Sequence, residues 1–285
     1  MMIIADCGAT TIDWARIDRK GNISFRKNSG INFSLTPTSE YEMKIKSSIP
    51  IDFMSDTIND ICFYAAGCRT EEQRSAIAAA LQKFFPEAEI DVNNDLLGAA
   101  RALFGNSPGV ACIIGTGSNA CLYSPESGGQ ITNSVPPLGY ILGDEGSGSF
   151  IGKRIISDAL KGLLSSKLTA SFFEFAGTDK DGILSRVYEE TDANRYIASF
   201  AMFARENRQS SEIQNIIYQS FDCFVKRNVM QLIKKSPLPV GFVGSIAHSF
   251  QHVLRKVMDD NRLEVSIVLQ SPIEALANYH INYLK

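Results

Sequence analysis

Short apolar runs, broken by glycine and threonine, set the rhythm of the chain. Residues 2–6 (MIIAD) read as a buried strand, and after a Gly/Thr turn TIDWARID places Ile12, Trp14 and Ile17 on one side of a second strand. DRKGN is a turn and ISFRK a third strand, so the chain opens on a β-meander. The stretch NSGINFSLTPTSE is loop-like and ends as a helix start. DICFYAAG is apolar throughout, a strand buried on both faces. TEEQRSAIAAALQKFF is an amphipathic helix with acids in its first turn, AEIDV a strand, and DLLGAARALFG a helix closing on Gly105.

A second cycle follows. GVACIIG, NACLYS and QITNS are strands, with the turn PESGG before the last. An all-helical stretch covers roughly 146–234, with turns at AGTDKDG and ENRQSS. LPVGFVGS is a strand ending in a glycine turn, FQHVLRKVM a helix, EVSIVLQ a strand, and SPIEALANYHINYL a helix with Pro272 near its start. IIADCGATTIDWARIDRKGNIS and CIIGTGSNACLYSPESGGQIT share one plan of strand, small turn, strand, turn and strand. The echo is either a duplicated α/β unit or a chance likeness of two meanders; the placement of each copy before mixed α/β material favours duplication, with the boundary near 105–109.

Composition narrows the class. The chain has 285 residues, enough for two domains, and 45% hydrophobic and 21% charged residues, as in ordinary globular proteins. A net charge of −3 with no basic run argues against nucleic acid, and no apolar run approaches a membrane span. The six cysteines lack paired metal spacing and fit reduced, buried thiols; no signal-peptide layout opens the chain, so a cytoplasmic location is expected. Bland roles are expected for His248, His252 and His280, core or interdomain packing for Trp14, and a helix face for FAMFARENR.

Gly115 to Ala120 matches the dinucleotide fingerprint G-x-G-x-x-A. That site needs a helix starting at the glycines, and here Pro125, Gly128 and Gly129 break any helix after little more than a turn. The pattern is strand, turn, strand. A glycine turn between strands can still hold phosphate, because backbone N–H groups approach the oxygens closely. Gly115, Thr116 and Gly117 form one such turn; Gly8, Ala9, Thr10 and Thr11 form another, with Asp6 at its strand end. Two such turns facing one another would clamp a triphosphate, and Asp6 could hold Mg²⁺ through water. Either one alone reads first as a plain hairpin turn; the two copies, with the acids below, reverse that.

Asp95 opens a helix after strand AEIDV. It is either an N-cap or a general base at the end of a strand, where open α/β sheets place their ligands. Asp144 and Glu145 lie between Gly143 and Gly146, before another helix. They either favour the helix end electrostatically or accept hydroxyls of a polar substrate.

With DCGATT, NND, GTGSN, LGYILGDEGSG and VGSIA in this order, the chain resembles the BadF/BadG/BcrA/BcrD-type ATPase family, and within it the N-acetylglucosamine kinases, over almost its whole length. These belong to the sugar kinase, Hsp70 and actin superfamily. The resemblance implies an α/β protein of two RNase H-like, actin-like ATPase domains with ATP in the cleft between them. Residues 1–107, joined by the C-terminal helix 272–285, would form one domain, and 108–271, with a helical insertion, the other. The implied activity is an ATP- and Mg²⁺-dependent kinase for an amino sugar or related hexose, a small-molecule partner, with room for a homodimer.

The resemblance also assigns residues. Asp6, Gly8 and Thr10 match the first phosphate loop and its Mg²⁺ acid, and Gly115, Thr116 and Gly117 the second loop. Asp95 matches the base. Asn32, Ser118, Asn119 and Asp144 match amino-sugar contacts, and Gly244 with Ser245 the adenosine site. Leu138, followed by Gly139, stands where these kinases usually carry tryptophan, so the acceptor need not be N-acetylglucosamine itself. The first loop also carries Cys7 and Ala9 in place of the usual glycine run. Two rival readings are an ATPase that energises a redox partner through a shared iron–sulfur cluster and a non-catalytic sugar sensor.

Overall fold

The computed structural model describes residues 1–54, 57–127, 129–233 and 238–283. Gly128 of the PESGG turn, the last residue of the 146–234 helical stretch and Leu284 of the final helix lie outside the described residues.

The opening meander is β1 (Met2–Cys7), β2 (Thr11–Ile17) and β3 (Ile23–Ser29). Helix α1 (Tyr41–Ser48), strand β4 (Asp60–Ala65), helix α2 (Glu71–Gln82), strand β5 (Glu89–Asn94) and helix α3 (Asp95–Phe104) follow. The sheet order is β3-β2-β1-β4-β5, antiparallel through the meander and parallel from β1 to β5. Sterically, the apolar β1 and β4 run down the centre, where both faces are covered. Thr70 and Gln73 close a capping box at the start of α2. Trp14 is fully buried and meets Phe63 edge-on, with ring centroids 5.9 Å apart, in the core of this sheet.

The second cycle is β6 (Gly109–Ile114), β7 (Ser118–Ser124), β8 (Gln130–Ser134), β9 (Val240–Val243) and β10 (Val265–Leu269). Its order, β8-β7-β6-β9-β10, repeats that of the first sheet strand for strand. The echo between the two meanders is therefore an echo of topology. Chain order gives helices α4 (Gly139–Leu142), α5 (Gly148–Leu160), α6 (Ser166–Ala176), α7 (Lys180–Tyr188), α8 (Ala193–Glu206) and α9 (Ser211–Phe224). A π turn, Val225–Val229, leads from α9 into the short α10 (Met230–Leu232). Then come α11 (Ser245–Ser249), α12 (Gln251–Asp260) and the last helix, α13 (Ile273–Tyr283). The turns expected at AGTDKDG and ENRQSS separate α6 from α7 and α8 from α9. In FAMFARENR, Phe200 and Phe203 are buried and Met202 exposed, one apolar face of α8.

By contacts the chain divides into two compact units. One comprises Met1–Ala111, Tyr123–Thr132 and Ser271–Lys285, the other Cys112–Leu122 and Asn133–Gln270. Helix α13 packs on α3, β1 and β2 in the first unit. Among the described residues no helix is long and apolar enough to cross a membrane.

Candidate active site

In the first unit, Asp6 is the last residue but one of β1, just before the turn. Antiparallel pairing sets it opposite Asp13 of β2, and Asp13 opposite Lys27 of β3. Directly opposed residues share a face, so two acids and a lysine line one side of the meander. Lys27 reaches Asp13 at 3.3 Å, and Ser271 Oγ donates to the other Asp13 oxygen at 2.8 Å. Asp6 is half-buried, and its pKa is pushed up to about 8. Loss of water is the largest cause, then the charges of Asp95 and Asp13, opposed by Lys27.

The turn itself is tight: Gly8 N–H donates to Thr11 O at 2.9 Å. Gly8, Ala9 and Thr10 are half-buried and Thr11 is exposed. Gly30 lies against this turn, its N–H donating to Thr10 O at 3.0 Å. A Cβ on Gly30 would stand 2.1 Å from Gly8 O and 2.6 Å from Thr11 N, so only glycine lets the two backbones meet. Two residues on, Asn32 Oδ1 accepts from Ser34 N–H at 3.2 Å, a local turn that orients the amide. Gly30 had no role in the sequence reading; its only signal is a lone glycine just after a strand.

Of the two roles open to Asp95, the structure removes the N-cap. The N-cap of α3 is Asn94, whose Oδ1 accepts from Leu97 N–H at 2.8 Å, and Asp95 is the first helical residue. Its carboxylate is thus left to the helix N-terminus and to whatever approaches it. Burial raises the Asp95 pKa to about 6, against the pull of the Leu96 and Asp95 N–H groups and the charge of Arg69. The structure therefore brings Asp6, Asp13 and Asp95 into one electrostatic group.

In the second unit, the turn Gly115–Gly117 joins β6 to β7 and is strand–turn–strand, as expected. Gly115 N–H donates to Gly117 O at 2.9 Å. The carbonyls of Gly115 and Thr116 accept from Gly148 and Ser149 N–H at 2.8 and 3.1 Å, and Ser149 Oγ adds a bond to Thr116 O at 2.6 Å. The start of α5 thereby fixes the carbonyl side of the turn. Gly244, at φ 129° before α11, abuts the same turn: a Cβ there would stand 2.3 Å from Ile114 O. Ser245 is the first residue of α11.

Asp144 has φ 56°, a left-handed conformation that glycine, asparagine and aspartate adopt more readily than other residues, and its Oδ1 accepts from Ser118 N–H at 3.2 Å. Ser118 Oγ donates to Glu145 O at 2.7 Å, and Asn119 Oδ1 accepts from Ala120 N–H at 2.9 Å. Neither acid is the cap of α5. Ser147 caps α5, accepting from Phe150 N–H at 3.2 Å. Glu145 is buried; Arg227 Nε lies 2.7 Å from Oε1 and Asn228 Nδ2 3.3 Å from Oε2. The two acids thus part: Asp144 faces Ser118, and Glu145 anchors the turn on the π turn. Lys153 donates to the Tyr140 carbonyl and feels both acids. Leu138 precedes α4 and is 56% exposed, and Gly139 opens that helix.

The histidines differ among themselves: His252 is exposed, His248 half-buried and His280 buried in a polar network.

Two mixed five-stranded sheets of repeated order, each bearing a glycine turn after its first strand, define an actin-like ATPase fold of the sugar-kinase class. No family model matches the chain. A candidate N-acetylglucosamine kinase from Porphyromonas gingivalis is 36% identical, with 100% of both chains covered and a TM-score of 0.93. A second candidate N-acetylglucosamine kinase, from Chromobacterium violaceum, is 17% identical over 98% of both chains with a TM-score of 0.73. A ROK-family glucokinase from Streptomyces griseus, in complex with glucose and AMPPNP, is 13% identical over 98% of this chain and 97% of that one, with a TM-score of 0.62. The last two speak for the fold. The first shows the family: the chain belongs to the N-acetylglucosamine kinase-like group of the sugar kinase, Hsp70 and actin superfamily and is an ATP-dependent kinase of that class.

Proposed function

We propose that the chain transfers the γ-phosphoryl group of ATP to a hydroxyl of an amino sugar of the N-acetylglucosamine kind, with Asp95 as general base. The observation that carries this reading is Asp95 itself, at the first turn of α3, relieved of capping by Asn94 and grouped with Asp6. With a pKa of about 6 it is ionised at neutral pH, yet basic enough to take a hydroxyl proton as the oxygen attacks phosphorus.

The phosphates are assigned to Gly8, Ala9, Thr10 and Thr11 and to Gly115, Thr116 and Gly117, where backbone N–H groups neutralise the transferring group. Gly244 and Ser245 are assigned to adenosine. Asn32, Ser118, Asn119, Asp144 and the Leu138–Gly139 segment are assigned to the sugar; a carboxylate such as Asp144 can accept two hydroxyls. The similarity to the Porphyromonas gingivalis protein supports an amino sugar.

Mg²⁺ fits Asp6. The half-buried carboxylate is held near pKa 8 by loss of water and by the charges of Asp95 and Asp13, which a cation would offset, and its oxygen donors suit a hard cation. Among the described residues no group of three His, Cys, Asp or Glu side chains could hold a metal alone, which suits an ion carried largely by water and phosphate. When bound it would neutralise charge on the transferring phosphoryl group. Five cysteines are buried, and burial raises the Cys62 thiol to about 12. Buried thiols of this kind suit a reducing compartment such as the cytoplasm.

The test is ATP consumption across N-acetylglucosamine, N-acetylmuramic acid, glucosamine and glucose. The reading expects one ADP per sugar phosphorylated, with an amino sugar preferred. Absence of stimulation by any sugar contradicts it.

A further inference from the structure

Tyr64 lies on β4, in register with Asp6 on one side and Asn93 on the other. It is fully buried. Its hydroxyl accepts from Arg101 Nη1 at 2.8 Å and lies 2.9 Å from His280 Nε2. Arg101 belongs to α3, and His280 to α13. The ring itself supports α3: a Cβ on Gly98 would stand 2.8 Å from Tyr64 Cγ and Cδ1, so the helix backbone rests on the ring. Gly98 is one turn beyond Asp95, and Arg101 a further turn on. The ring thus sets the height of α3 above the sheet, and the Arg101 bond resists sliding and rotation.

Helix α13 is fastened at a second point. Ser271, just before it, donates to Asp13, the cross-strand partner of Asp6. One helix therefore ties to the neighbour of Asp6 at its start and to the helix of Asp95 through His280.

This network combines hydrogen bonds with ring contacts, Arg101 lying over the Tyr64 and Tyr279 rings, yet it leaves polar atoms unpaired. His280 Nδ1 and Arg101 Nε are buried without a hydrogen-bond partner among the described residues. Unsatisfied buried groups are uncommon and each destabilises the fold. Phenylalanine at 64 and an apolar residue at 280 would remove the His280 orphan but leave Arg101 Nη1 without its acceptor, so the three side chains work as one unit.

We propose that Tyr64 is a positioning residue: its hydroxyl, held between Arg101 and His280, fixes α3 and so the Asp95 carboxylate. The proposal rests on the reading of Asp95 as base. Misplacing a reacting group by a fraction of an ångström lowers turnover while leaving substrate binding intact.

Tyr64→Phe, His280→Leu and His280→Gln are assayed with ATP and N-acetylglucosamine, with rates expressed per folded molecule and melting temperatures recorded. Y64F loses roughly tenfold in kcat, with both KM values within about twofold of native. H280L behaves likewise, while H280Q, which keeps a hydrogen-bonding side chain, retains near-native kcat. The double variant Y64F/H280L is no slower than either single one, because both break one network. Native kcat in Y64F and H280L, whatever their melting temperatures, overturns the proposal, as does a loss confined to KM. Asp95→Asn in the same assay separates the two ideas. Full turnover in D95N brings down the base reading and this proposal together; an inactive D95N beside a fully active Y64F brings down this proposal alone.

Discussion

Glu145 and Arg227 form an ion pair with Oε1 and Nε 2.7 Å apart, and Asn228 serves the other carboxylate oxygen. Adjacent residues on a regular α-helix point about 100° apart. Arg227 and Asn228, neighbours in the π turn Val225–Val229, nevertheless meet one carboxylate. That anchor holds the turn in which Asp144 sits at φ 56°.

Glu145→Gln and Arg227→Ala should each raise the KM for sugar several-fold and leave the KM for ATP unchanged. Together they should not add, since either one breaks the same pair. Glu145→Ala also leaves the buried Asn228 amide unpartnered and should lower stability by about 2 kcal/mol. Steady-state kinetics and thermal melts check both.

Gly30→Ala drives a methyl group into Gly8 O and Thr11 N. The first turn must shift, so the KM for ATP should rise by about tenfold or more, with stability reduced by roughly 1–3 kcal/mol. A Gly30→Ala enzyme with native KM for ATP would dissociate the turn from phosphate binding.

The pH profile of kcat should report Asp95. A base must be ionised, and burial holds this group near pKa 6. The rate should rise with unit slope through about pH 6 and level off by about pH 7. A profile flat down to pH 5 would mean another group takes the proton.

Stability should carry the opposite sign. Asp6 and Asp95 have folded-state pKa values of about 8 and 6, above the ordinary 3.8. Between these values and the ordinary one the folded chain binds more protons than the unfolded chain, so stability falls as pH rises from about 4 to about 8. Melting in chelator should show this fall, and Asp6→Asn should flatten its upper part. Added Mg²⁺ should raise the melting temperature more at pH 8 than at pH 5 in the native protein and little in D6N.

The strands, the glycine turns and the duplicated plan were legible because each is local. Apolar runs such as DICFYAAG and GVACIIG mark central strands whatever surrounds them. Trp14 on its alternating strand was recognisable as core for the same reason. What depends on distant partners was not legible. Asp144 and Glu145 look equivalent in sequence; Arg227 and Asn228, far along the chain, separate their roles. Asn94 and Asp95 could each have capped α3, and only the backbone geometry gives the cap to Asn94. Gly30 resembles any loop glycine until the turn it supports is seen beside it. His280 read as a packing residue, which its burial fits, but its bond to Tyr64 joins segments from opposite ends of the sequence.

The most direct test of the account is ATP turnover by the native protein and Asp95→Asn with N-acetylglucosamine, alongside sugar binding measured calorimetrically. The account predicts sugar-dependent ATP consumption by the native protein and a loss of at least about a hundredfold in kcat for D95N, with sugar still bound. Sugar-independent ATP consumption, or D95N turning over at the native rate, would contradict it.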